Sequence, residues 1–359
     1  MKKLLSFFLI ICLLLSLISC GGYEPIESSE EERRVVMTLS YGGENYEVKY
    51  ELYRAMFLTL KSSVDGGDSS LWTGDEKEEY IEKIDGLILE RIVAIYGTIH
   101  AAKEIGEDVF SDDYDDTVTD YIKASVDGGE INSQYFEGFG GDYDKYLASL
   151  KEQYLNYSVQ DLLIRYALAA QAVTNYYTPS VEGAEGEISF TDETLRDFYF
   201  GDECVRVLTV FLDETIWTQS SAKSSRDAIA ALNSEEDVAL KMISLTTSGA
   251  SDVKNGMIIT KNNLDAAYYS ELTEAAFDLP MFEVSEPIYV TTGESAGYYI
   301  IYQAQKTDDN FTNMYEHIAE AYVNEKIGEI LSGIKENLKD SAVYSEYLDT
   351  LDRSNVKMD

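Results

Sequence analysis

A helical period of apolar residues governs both ends of this chain and gives way in the middle. Tyr80, Ile84, Leu87, Ile88, Ile92, Ile95 and Ile99 fall three and four apart, which puts them on one face of a long helix. Ahead of them, Thr73 with Glu76 has the form of a capping box. The same spacing predicts helices through Tyr50–Leu60, Tyr114–Ala124, Tyr143–Ala172 and Asn313–Leu338. Val35–Tyr41 reads as a strand, followed by a turn at Gly42-Gly43-Glu44-Asn45 and a short return at Tyr46–Val48. Gly66–Ser70 breaks the chain, Tyr135–Gly141 reads as a glycine- and aromatic-rich loop, and Pro179–Glu187 as a linker.

The texture changes at Asp202. Val205–Leu212 is a β-rich run, and Met257–Thr260, Ile288–Thr291 and Tyr298–Gln303 read as further strands. Short helices are expected over Ala222–Leu232, Glu235–Ile243 and Leu264–Leu279. Such a module is too small to cover the apolar face of the C-terminal helix alone. That helix is therefore expected to return onto the N-terminal helices. The fold class is α+β: a discontinuous, mainly helical domain over 35–195 and 308–359, interrupted by an α/β insert over 202–306.

The first residues carry a different signal. Met1-Lys2-Lys3 precedes an apolar run from Leu4 to Ile18. About 20 apolar residues are needed to span a bilayer, so the run fits the apolar region of a signal peptide. It closes with Leu17-Ile18-Ser19-Cys20-Gly21-Gly22, which resembles a bacterial lipobox. The expectation is a signal peptide over 1–19, lipid on Cys20 and a flexible acidic tether over 20–34. Ordinary cleavage without lipid is the alternative. A lipobox cysteine carries a diacylglycerol, and two acyl chains anchor stably where one does not. The expected location is the extracytoplasmic face of a bacterial cell membrane.

Composition narrows the chemistry. Cys12 leaves with the signal and Cys20 takes lipid, so Cys204 is the one thiol of the body and no internal disulfide is expected. No zinc or iron-sulfur spacing occurs, and the sequence calls for no cofactor. The formal charge of −38 argues against nucleic acid, which needs clustered cations. It also limits membrane contact to the lipid. Asp112-Asp113-Tyr114-Asp115-Asp116 lacks the spacing of an EF-hand loop and reads as a solvated face, with weak calcium binding the minor option. His100 and His317 are far apart and read as lone helix residues, which leaves no Ser-His-Asp set. No phosphate-binding loop or dinucleotide fingerprint appears. No carboxylate pair stands out for glycoside hydrolysis.

Several segments carry a family resemblance. Val205-Arg206-Val207-Leu208-Thr209-Val210, Glu274-Ala275-Ala276-Phe277-Asp278-Leu279, Glu283-Val284-Ser285-Glu286-Pro287-Ile288 and Gly297-Tyr298-Tyr299-Ile300-Ile301 resemble the strands, central helix and turn of a parvulin-type prolyl isomerase. Val35–Leu60, Phe136–Leu150 and Phe190–Tyr199 look like parts of the helical chaperone domain that surrounds such a module. Together they resemble the extracytoplasmic foldases of the PrsA and SurA type. The resemblance implies unfolded or nascent secreted proteins as partners. It also implies a proline-binding surface at Tyr268, Leu272 and Tyr299.

The departures matter equally. Where the family has two histidines, this chain has Val207 and Tyr299, and the nearby cysteine or aspartate is absent unless Asp252 supplies it. Rotating an X–Pro amide breaks no covalent bond but must overcome about 18–20 kcal/mol of lost resonance. A catalyst needs to favour the twisted amide, which an apolar pocket with a few fixed polar groups can do. Loss of the histidine pair removes the polar floor without proving inactivity. Tyr268, Leu272 and Phe277 are also ordinary core positions of an amphipathic helix. Three readings follow: a lipid-anchored chaperone with a weak or inactive isomerase module, an active prolyl isomerase, or a surface lipoprotein with one folded partner.

Overall fold

Gly42 and Gly43 fold the chain back on itself first. Both lie at positive φ, 60° and 84°, as a two-residue hairpin turn requires. They join β1 (Val35–Tyr41) to β2 (Glu44–Lys49), with Tyr41 opposite Glu44. The computed structural model describes residues 26–65, 72–73, 77–131, 134–178, 188–245, 253, 255–262, 266–292, 295–353 and 356. The expected signal peptide, Cys20, the capping-box residue Glu76, the break at 66–70, the whole 179–187 linker, and Asp252 lie outside the described residues.

Helix α1 (Tyr50–Asp65) follows β2 directly, then α2 (Lys77–Glu104) and α3 (Asp112–Asp127). On α2, Ile84, Ile88 and Ile92 are completely buried, at the spacing read from the sequence. Burial of each is worth about 1.5–3 kcal/mol. Gly128, at φ 81°, ends α3 by donating to the carbonyl of Ala124. A small hairpin, β3 (Gly129–Ile131) and β4 (Gln134–Phe136), occupies part of the stretch expected as loop.

The single helix expected over Tyr143–Ala172 is two. α4 (Tyr143–Glu152) ends at Gln153, Tyr154 turns at φ 63°, and α5 (Tyr157–Tyr177) begins after Asn156. The Asn156 side chain accepts from the amide of Val159 at 2.9 Å and so caps α5.

Thr191 caps α6 (Asp192–Phe200) by accepting from the Thr194 amide. Then come β5 (Cys204–Asp213), α7 (Gln219–Ala230), α8 (Glu235–Leu245), β6 (Met257–Thr260), α9 (Ala266–Asp278), β7 (Ile288–Thr292) and β8 (Ser295–Gln303). The four strands form one antiparallel sheet in the order β6-β5-β8-β7. Alternation along β5 feeds two cores. Leu208, Val210 and Leu212 pack with Ile229 of α7 and Met242 of α8. Val207 packs on the opposite face with Leu272 and Ala276 of α9. Short α10 (Asp308–Asn313) and the start of α11 (Tyr315–Asp340) complete a third cluster with α6, around Phe198, Phe311 and Ile318. Buried Arg206 is satisfied by Glu235 at 2.7 Å and by the carbonyls of Asn255 and Gln305.

The chain divides into two compact units, residues 1–176 with 331–359, and residues 177–330. In the first, Ile334 and Leu338 of α11 pack at Gly97 of α2, where the absence of a side chain allows close approach. β9 (Val343–Tyr344) extends the first sheet to the order β2-β1-β9, and α12 (Glu346–Thr350) follows. Arg353 pairs with Asp85 of α2. Among the described residues no helix is long and apolar enough to cross a membrane.

Candidate functional site

In the second unit the sheet face under α9 gathers most of the residues singled out by sequence. Val207 is fully buried, Leu272 is buried and Tyr299 is half-buried, and all three belong to one apolar cluster with Ile301 and Val290. Phe277 packs against the same cluster, as its core reading expects. Tyr268 lies on α9 by its backbone, and its side chain is outside the described residues.

The ladder fixes the spacing of Val207 and Tyr299, the two positions that the sequence resemblance matches to histidines. Val207 is opposite Gln303 and Tyr299 is opposite Phe211, so the two share a face but stand four residues apart along the ladder. At the rise of a strand that is roughly 13 Å. Phe211 and Tyr299 pair instead, with ring centroids 5.0 Å apart. Gly297 makes room, since a Cβ there would meet the Phe211 ring at 2.7 Å. Gln303 donates to the carbonyl of Ala276 at 3.2 Å and so ties α9 to the sheet. Thr209 and Met257 extend the face toward solvent, Met257 being 46% exposed. Tyr299 brings the one polar group among the cluster's named members. The cluster's named members are packed against one another, and they offer no imidazole, carboxylate or amine to a reacting atom.

Sequence reasoning missed a larger feature in the first unit. A cleft of about 920 Å³ is bounded by β2, α1, α2, α3, α5 and the segment from Ile26 to Arg33. Its depths are apolar: Leu52, Tyr96, Ile99, Val118 and Val159 are all buried. Phe110, at the rim, is 51% exposed. Arg165 is pinned by Asp161 at 2.8 Å, Asp115 at 2.7 Å and the carbonyl of Val109 at 2.6 Å. Tyr46 bonds to His100 at 2.6 Å, and burial, reinforced by Glu44, Glu104 and Asp108, pushes its phenol up to about 12.

The segment beside this cleft belongs to the expected tether, and from Glu27 to Arg34 it is held. Ser28 is buried, donating to Glu51 and meeting Ser158 at 2.9 Å. Glu32 accepts from Arg54 at 2.5 Å. The carbonyls of Arg34 and Glu32 take the amides of Tyr50 and Glu51, for which the first turn of α1 supplies no carbonyl of its own. Glu51 also accepts from Asn156 at 2.8 Å. A serine-bearing acidic stretch looks solvated in sequence; its hydroxyls and carboxylates instead serve as partners for a helix end.

No family model matches this chain, and no curated protein does. Solved structures do. Foldase protein PrsA from Streptococcus pneumoniae aligns at 18% identity over 70% of this chain and 83% of its own, with a TM-score of 0.27. PrsA from Bacillus subtilis aligns at 15% identity over 86% and 93%, with a TM-score of 0.25. The peptidylprolyl isomerase PrsA from Bacillus cereus aligns at 12% identity over 90% and 97%, with a TM-score of 0.24. With TM-scores this low, the functional reading rests on the side chains described above.

Proposed function

We propose that this chain is a lipid-anchored extracytoplasmic foldase that holds unfolded exported polypeptides, and that its parvulin-like module has little or no isomerase activity. In this reading 35–195 and 308–359 form the chaperone domain, 202–306 the parvulin-like domain, and Cys20 carries the anchor. The observation that carries it is the face of Val207, Leu272 and Tyr299. It keeps the apolar character needed to grip a proline or aliphatic residue. The two positions that the resemblance matches to histidines hold a fully buried valine and, four residues along the ladder, a tyrosine that pairs with Phe211.

Tyr299 also supports a second reading, as an active isomerase, because a phenol can donate to a twisting amide. A protease-coupled assay on a short X-Pro peptide separates the two. The foldase reading expects a rate within about two-fold of the uncatalysed rate, which has a time constant of tens to hundreds of seconds. Acceleration that is abolished by Leu272→Asp or Tyr299→Ala establishes the enzyme instead.

A further inference from the structure

We propose that the cleft of the first unit binds a short extended peptide segment in which a lysine or arginine stands among aliphatic or aromatic side chains. This deepens the foldase reading and rests on it for the source of the peptide. The volume, about 920 Å³, suits several residues rather than one side chain. Buried Leu52, Ile99 and Val159 supply an apolar floor, and exposed Phe110 and Ile26 supply apolar rim contacts.

Charge selects the occupant. Seven carboxylates line the cleft against four cations, of which Lys49 alone is exposed with no ion pair among the described residues. Arg165 is fully engaged by Asp161, Asp115 and the Val109 carbonyl. Lys103 is bonded to Glu44 at 2.9 Å and lies 3.8 Å from Asp108, and Arg33 lies 3.9 Å from Glu27. Glu47 is exposed and forms no ion pair among the described residues.

Glu51 is the stronger observation. It is 5% exposed, and among the described residues its side-chain donors are the neutral Ser28 and Asn156, with no ion pair. A buried carboxylate held only by neutral donors is costly. An incoming ammonium or guanidinium relieves that cost, while its methylenes lie on the apolar floor. An acidic peptide meets the reverse.

The test uses the full-length chain in discs of zwitterionic lipid and three fluorescent octapeptides. They share one Phe/Leu framework and carry two lysines, two glutamines or two glutamates. Fluorescence anisotropy should show the lysine peptide binding at least ten-fold tighter than the glutamate peptide at low salt. The whole molecule is strongly negative, so a general field must be separated from the cleft. Glu27→Lys with Glu47→Lys should weaken the lysine peptide at least five-fold. Glu236→Lys with Asp309→Lys, exposed carboxylates outside the cleft lining, should change it less than two-fold. Glu51→Gln should weaken it as well. Equal loss from both lysine pairs, or equal binding of all three peptides, overturns the proposal. So does displacement of the peptide by a simple diamine at equal concentration, which would make this a small-cation site. If aggregation suppression persists while these peptide effects are absent, the cleft proposal alone fails. If the peptides behave as stated but unfolded protein is not protected, the foldase reading fails instead.

Discussion

Phe211 and Tyr299 face one another across β5 and β8, with ring centroids 5.0 Å apart and planes inclined at 46°. Tyr299 is one of the two positions that the sequence resemblance matches to a histidine, and in the structure it is half of this cross-strand pair. Its role is then measurable as packing. Tyr299→Ala should destabilise the chain by roughly 1.5–3 kcal/mol in urea unfolding, since the ring is half-buried. A double-mutant cycle with Phe211→Ala should give a coupling of about 0.5–1.5 kcal/mol. A coupling near zero would mean that the rings touch without stabilising each other.

Phe282 holds φ at 70°, a conformation that bulky side chains avoid, and its ring is 55% exposed. A left-handed L-residue costs about 1–2 kcal/mol, and glycine returns part of that gain through its freer unfolded chain. Phe282→Gly should raise stability by about 0.5–1 kcal/mol, read from the urea midpoint. A loss above about 1 kcal/mol would show that the ring is packed rather than strained.

Arg206 is almost wholly buried, 1% exposed, with Glu235 as its carboxylate partner. Removing one member of such a pair leaves the other uncompensated. Glu235 is itself a third exposed, which softens the effect. Glu235→Ala should cost about 2–3 kcal/mol, and Glu235→Gln, which keeps an acceptor, about half as much. Equal losses for the two variants would contradict the charge argument.

Burial pushes the Tyr199 phenol up to about 12 and the Cys204 thiol up to about 11. Tyr46, also raised chiefly by burial, reaches about 12. Each group keeps its proton longer when folded than when unfolded. Their stability contributions are therefore complete below the ordinary values, near 9 for the thiol and 10 for the phenols. They are lost as pH rises through 11 and 12. The melting temperature should fall steeply above about pH 10, with tyrosinate absorbance appearing only as the chain unfolds. Tyrosinate forming at pH 10 for all tyrosines while the circular dichroism stays native would refute it.

The long helices were legible because a three-four apolar period survives on α2, α5 and α11. The succession of strands and helices along the module was legible because its β-rich runs are short and separated by turn residues, whereas the spatial order β6-β5-β8-β7 was not. The break between α4 and α5 was hidden by Tyr154, whose left-handed turn lacks the usual glycine or asparagine. β3 and β4 are three residues each and glycine-bounded, too short to show a period. The α9 face was expected from the family motifs, and of the residues they named Val207, Leu272 and Tyr299 share one cluster. The four-residue offset of Val207 and Tyr299 depends on the β5–β8 register, which no single segment encodes. The cleft could not be read at all, because its walls come from segments as distant as Ile26 and Arg165. The clue that remained in the sequence was the acidic, serine-bearing stretch after Cys20, whose polar groups could serve a helix end as readily as water.

Light scattering from a reduced, denatured secreted protein, diluted into buffer with increasing amounts of this chain, tests the foldase claim most directly. The account predicts that aggregation falls to half near equimolar chain, at both low and moderate salt, while the X-Pro isomerisation rate in the same solution stays at its uncatalysed value. Unchanged scattering at a several-fold molar excess would contradict it.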